Sequence, residues 1–224
     1  MCAVGLSCLL LCACADTGGN DRSAYVVRPH DTLYSIAWRY NLDFHDLARW
    51  NHIGPDFRIV VGQTLLLEGS TAHGSAHASV SGAAARPPPP PAAAYPQAQH
   101  AIPSAMKWVW PTEPISAPLP VPGQGILIAG QLGQDIRAAC AGRVVYAGTG
   151  IRGYGDLIII KHGEDLLSAY AHNRESLVQD GQDVALGQLI AHMGEATPQR
   201  PLLYFEIRRG GKPIDPTVLL PKLK

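Results

Sequence analysis

The sequence predicts a mainly antiparallel β domain in the C-terminal half, preceded by a small βααβ unit and joined to it by a disordered Pro/Ala-rich tether. Three observations carry this. From Arg143 onward, short runs rich in β-branched or aromatic residues (Arg143 to Ala147, Leu157 to Lys161, Leu166 to Ala171, Leu202 to Arg208) are separated by Gly-rich turns, as in antiparallel strands. Helical periodicity is confined to the stretch between Asp31 and Asn51. Between the two lies a segment rich in Ala, Ser, Pro and His.

With 224 residues, the chain is long enough for modest domains plus a linker. Its formal net charge is zero and no basic stripe occurs, which argues against nucleic acid as a partner. Nothing after the first fifteen residues is long and apolar enough to cross a bilayer as a helix.

Residues 1–13 read as an address. Ala3 to Leu11 form a short apolar run that ends at Leu11-Cys12-Ala13-Cys14, although no Lys or Arg precedes it. That ending resembles a bacterial lipobox, which implies cleavage before Cys14 and acylation of Cys14. Ala15 is not the aspartate that typically retains lipoproteins in the inner membrane, so the implied location is the outer membrane, facing the periplasm. An ordinary cleaved signal peptide is the plainer alternative. Of five cysteines, only Cys140 would then remain for the folded part, excluding an intramolecular disulfide there. It sits among small residues and reads as a buried, inert thiol.

Residues 24–68 read as a strand, two helices and a strand. Tyr25-Val26-Val27 opens, and Asp31-Thr32 supplies capping side chains for a helix with Leu33, Ile36, Ala37 and Tyr40 on its apolar face. Asp43 caps a second helix with Leu47 and Trp50 inward, and Ile59 to Leu65 closes the unit as a strand. This segment resembles a LysM module, which implies binding to peptidoglycan glycan strands. The family's usual Gly-Asp-Thr-Leu is His30-Asp31-Thr32-Leu33 here. A purely structural βααβ unit is the alternative, since a fold alone proves no binding site.

Residues 69–107 contain the run Pro87 to Pro91. Wholly extended as polyproline II, such a tether spans ~120 Å, and as a flexible coil it averages ~35 Å. His73, His77 and His100 are too scattered to read as anything but solvated linker residues.

Residues 108–224 carry the most specific signal. The blocks Trp108 to Thr112, Gly142 to Gly148, Gly153 to His162, Tyr170-Ala171-His172 and Phe205 to Arg208 together resemble the LytM or M23 family of zinc endopeptidases that cut peptidoglycan cross-links. Two of that family's motifs have lost their chemistry. Its Pro-His-Leu-His-Phe-Glu strand reads Pro201-Leu202-Leu203-Tyr204-Phe205-Glu206, and its His-x-Gly-x-Asp reads Gly123-Gln124-Gly125-Ile126-Leu127. A catalytic zinc takes about three protein ligands and keeps one position open. Gly123, Leu127, Leu202 and Tyr204 do not supply them. The expectation is a peptidase fold without peptidase activity, metal or other cofactor, in which His172 is a remnant and His162 and Glu206 are structural.

The order lipobox, LysM module, tether and metal-less LytM domain resembles the outer-membrane murein-hydrolase-activator lipoproteins of the NlpD type. The resemblance implies activation, by direct contact, of a periplasmic N-acetylmuramoyl-L-alanine amidase that splits septal peptidoglycan for daughter-cell separation. A groove shaped for peptide can lose zinc and still bind a segment of another protein. Aromatic and arginine side chains dominate such interfaces, which singles out Arg152 and Tyr154 on a Gly-rich loop, with Tyr170, His172, Tyr204 and Arg208 on the sheet. For Tyr170 and Tyr204, simple filling of the space left by zinc is the competing expectation. Two other readings stand beside the activator: a wall-anchoring lipoprotein without an amidase, and an M23-class zinc endopeptidase with ligands from elsewhere.

Overall fold

A computed structural model describes residues 24–68 and 106–223. The segment assigned to the signal, Cys14, almost all of the expected tether and Lys224 lie outside the described residues.

The first unit runs β1 (Ala24–Val26), α1 (Leu33–Tyr40), α2 (Phe44–Trp50) and β2 (Thr64–Leu66). Strands β1 and β2 pair antiparallel, with Tyr25 opposite Leu65. Helix α1 starts at a reciprocal cap. Thr32 Oγ1 accepts from the Ser35 amide at 3.1 Å and Ser35 Oγ accepts from the Thr32 amide at 3.0 Å, so two otherwise orphaned donors are satisfied. The helix stops at Asn41, which adopts a left-handed conformation (φ 58°). Asp43 caps α2 by accepting from the His45 amide at 2.6 Å. At the other end, Asn51 ties the helix to β2, donating to the Leu47 and Leu66 carbonyls and accepting from the Leu66 amide.

Two expectations for this unit need correction. The closing strand is shorter than Ile59 to Leu65, because the chain turns through Gly62 (φ 87°) and leaves Val60 and Val61 exposed. Tyr40 is 41% exposed, whereas Trp38, off the apolar stripe of α1, is 2% exposed. The reason is a second packing surface, described below.

The second unit comprises β3 (Leu119–Pro120), β4 (Ile126–Ala129), β5 (Asp135–Arg137), β6 (Gly142–Gly148), β7 (Asp156–His162), β8 (Leu166–Ser176), β9 (Asp183–Val184), β10 (Leu189–Met193), β11 (Glu195–Thr197), β12 (Arg200–Arg209) and β13 (Lys212–Ile214). Its spine is the antiparallel order β3-β4-β12-β8-β7-β6-β9. Mainly antiparallel β structure is therefore present where the sequence predicts it.

Side chains alternate across this sheet, so it has two differently used faces. Ile158, Ile160, Tyr170, Leu203, Phe205 and Ile207 point into one core with Ile128, Ile136 and Met193. The opposite face carries Tyr146, Leu157, Ile159, Leu167, Ala169, Ala171 and Tyr204. These join Leu33, Ile36, Ala37, Trp38 and Phe44 of the first unit in one continuous apolar cluster. The small unit thus docks on the sheet, and the second core lies between them.

Candidate functional site

Register explains how the site is assembled. Tyr204 pairs with Leu127 on β4 and Ala171 on β8, and Leu202 pairs with Ala129. Residues directly opposite one another in an antiparallel pair share a face, as do residues two apart on a strand. Leu127, Leu202 and Tyr204 therefore lie together, continuing along β12 to Glu206 and Arg208. Gly123 is exposed in the turn that leads into β4, with φ 69°. The four positions expected to align with the zinc family's motif residues are thus clustered, or adjacent, on the docked face.

What occupies that face is a buried polar chain. Arg208 Nε donates to Glu206 Oε1 at 2.6 Å, and the Tyr204 hydroxyl donates to Glu206 Oε2 at 2.5 Å. Gln124 Oε1 lies 3.2 Å from the same hydroxyl, but one phenolic proton cannot serve both acceptors fully and the carboxylate is the closer and stronger. Burial, reinforced by the Glu206 hydrogen bond and charge, raises the Tyr204 phenol above its ordinary range. The phenol therefore keeps its proton and donates it to Glu206. Opposite Glu206 and Arg208 stand Ala169 and Leu167. With Ala171 opposite Tyr204, two alanines and a leucine flank the chain from β8.

His172 stands at the rim. Its backbone is left-handed (φ 64°), its amide donates to the Tyr154 carbonyl at 2.9 Å, and its carbonyl accepts from the Gly194 amide at 2.9 Å. Its ring centroid is 6.5 Å from that of Tyr204, and partial burial lowers its pKa. Tyr154 reaches in from the β6–β7 loop, its ring 5.7 Å from Tyr204. Arg152 is exposed on the same loop and lines a small cleft with Tyr154, Tyr25, Trp38 and Arg39.

Tyr170 does not belong to this face, contrary to expectation. It pairs with Phe205 and points into the opposite core, fully buried, where its hydroxyl accepts from the Ala139 amide at 2.9 Å. Ser168 Oγ lies 3.0 Å from that hydroxyl and 2.7 Å from His162 Nε2, while His162 Nδ1 sits 2.8 Å from the Ala141 carbonyl. Burial depresses the His162 pKa to about 4, so the ring is neutral and its Nδ1–H donates to the carbonyl. Tyr170 and His172 are two apart, yet β8 is irregular beyond Tyr170, which breaks simple alternation.

The residues present do not fit a catalytic zinc. A glycine, two leucines and a protonated tyrosine stand at the motif positions, and His172 offers a single imidazole. Among the described residues no three His, Cys, Asp or Glu side chains gather as a metal site.

A residue unforeseen from sequence completes the site. Trp38 of α1 lies over Arg208, with the guanidinium 3.7 Å from a ring centroid, and the Trp38 carbonyl accepts from Arg208 Nη1 at 3.1 Å. Its ring also meets Tyr154 edge-on at 6.5 Å. A larger cleft, about 840 Å³, opens elsewhere along the same junction, between Tyr34, Phe57 and Arg58 of the first unit and Arg143, Lys161 and Asp183 of the second.

Residues 122–216 match the model of peptidase family M23, and residues 25–67 match that of the LysM domain. The "Lipoprotein NlpD/LppB homolog" of Pseudomonas aeruginosa is 42% identical over 228 residues, covering 88% of this chain and 77% of that protein. The chain belongs to the NlpD/LppB lipoprotein family. The chain is also similar to the "Uncharacterized lipoprotein YgeR" of Escherichia coli, 39% identical over 95% of this chain and 89% of that protein, and to the "Murein hydrolase activator NlpD" of Escherichia coli, 35% identical over 92% and 69%. The first unit is accordingly a LysM module and the second an M23-type domain.

Proposed function

We propose that this chain is a non-catalytic lipoprotein, anchored through acylated Cys14 in the outer membrane and facing the periplasm, that binds peptidoglycan glycan strands with its LysM module. Through the sheet face of its M23-type domain it activates an N-acetylmuramoyl-L-alanine amidase by direct contact, serving septal wall splitting. One observation carries the reading. At the positions expected to align with that family's metal motifs stand Leu127, Leu202 and Tyr204, the last hydrogen-bonded through Glu206 to Arg208, a set suited to contact with another protein segment. Relatives named as murein hydrolase activators support the same direction.

The physical logic is selective binding. An amidase with closed and open forms is activated if this face binds the open form more tightly, and by no more than that difference in affinity. Tyr154, Tyr204, Arg152, His172 and Arg208 are the proposed contacts. The test adds the full chain to a purified amidase and follows release of peptide from peptidoglycan. Tyr154→Ala and Arg152→Ala should lower stimulation, with about thirtyfold loss of affinity for a buried anchor, while folding is kept. Stimulation equal to wild type in both would move the interface off this face.

A further inference from the structure

The face proposed for the partner is already covered. Trp38 caps Arg208 with its ring and its carbonyl, Arg39 Nη2 donates to the Gly150 carbonyl at 3.3 Å, and the Lys161 ammonium lies 5.9 Å from the Phe44 ring centroid. Beneath them Ala169 and Ala171 are fully buried and Tyr204 is 7% exposed. A further close approach holds the far end, where the turn after β12 meets the start of α2. A Cβ on Gly211 would lie 2.5 Å from the Asp43 backbone nitrogen and 2.5 Å from the Leu42 carbonyl carbon.

We propose that the LysM module is a resident lid on this face, and that an outside segment reaches Tyr204 and Arg208 only after the module swings away. Because both modules share one chain, closure is intramolecular, so the partner competes against a local concentration on the order of mM. The apparent affinity for the partner is its intrinsic affinity reduced by the fraction of chains that are open. The contact is also built to release. Trp38 Nε1–H is buried with no hydrogen-bond partner among the described residues, a cost recovered when the ring returns to water. Aromatic stacking on an arginine, one carbonyl and a patch of alanines are groups that an incoming segment can replace in kind.

The partner's identity as an amidase rests on the function proposed above; the lid itself does not. Two variants of the full mature chain, made soluble by Cys14→Ser, open the lid by different routes. Trp38→Ala removes the cap, and Gly211→Ala drives a methyl into backbone that cannot rotate aside. Gly210→Ala is the control. It shares the positive-φ strain, at 52° against 72° for Gly211, but its Cβ meets only the Asp43 carboxylate, at 3.1 Å. Opening is read by the radius of gyration in solution scattering and by nitration of Tyr154 and Tyr204 with tetranitromethane, located by mass spectrometry. Both opening variants should expand, nitrate faster, and bind a purified amidase at least about tenfold more tightly than the wild type or Gly210→Ala, as the open fraction rises. Unchanged scattering and nitration in both would refute the lid, as would expansion without tighter binding when the wild type itself binds the amidase. If no form, wild type included, binds the amidase while nitration rises, the amidase reading falls and the lid stands.

Discussion

Removing Arg208 alone should do more damage than removing it together with its partner. Arg208 and Glu206 have side chains 6% and 0% exposed and are joined at 2.6 Å, with the Tyr204 hydroxyl on the other carboxylate oxygen. Arg208→Met strands Glu206 beneath the LysM module with a single donor. Breaking a buried pair from one side costs about 3–5 kcal/mol, because a charge stays behind without its counterion. Loss of the stacked guanidinium adds up to about 2 kcal/mol for a desolvated contact. Arg208→Met/Glu206→Leu removes both charges and their desolvation, leaving the Tyr204 hydroxyl to Gln124 at 3.2 Å. The double variant should therefore recover at least about 2 kcal/mol relative to Arg208→Met. Urea unfolding followed by circular dichroism, with both singles and the double, measures the coupling. A loss below about 1 kcal/mol for Arg208→Met, or a double variant as unstable as the sum of the singles, would show that the pair does not hold this face together.

Three further outcomes follow from individual residues. His162 is buried and neutral with its pKa lowered from 6.5 to about 4, so the unfolded chain takes up this proton first as pH falls; the stability it supports is intact above about pH 6.5, and about 2 kcal/mol is lost by pH 5. Unfolding curves of wild type and His162→Gln compared between pH 8 and 5 should converge as acid removes the wild type's advantage, and parallel curves would contradict the assignment. Cys14→Ser should abolish acyl labelling and outer-membrane fractionation, and unchanged fractionation would point to another anchor. Deleting residues 24–67 should lower co-sedimentation with peptidoglycan sacculi, and equal pelleting would remove glycan binding from the LysM module.

Much of this architecture was legible in the sequence because it is local. Caps, helical periods and strand alternation are properties of a few neighbouring residues, so Thr32, Asp43, Leu33, Ile36 and the main strands were placed correctly. The residue types at Gly123, Leu127, Leu202 and Tyr204 were equally legible, since side-chain chemistry does not depend on where they fold. The tertiary structure alone decided three things. It put Tyr170 and His172 on opposite faces, because Tyr170 shares the core side of its partner Phe205 while the left-handed His172 interrupts the alternation that sequence spacing assumes. It joined Tyr204, Glu206 and Arg208 into one buried chain, which depends on what covers the strand as well as on their period of two. And it buried Trp38 against Arg208, 170 residues away, by giving α1 a second packing surface that no single-helix pattern contains. A helix pattern reports the core of its own module, whereas docking between modules far apart in sequence is a long-range contact whose partner the local sequence does not encode.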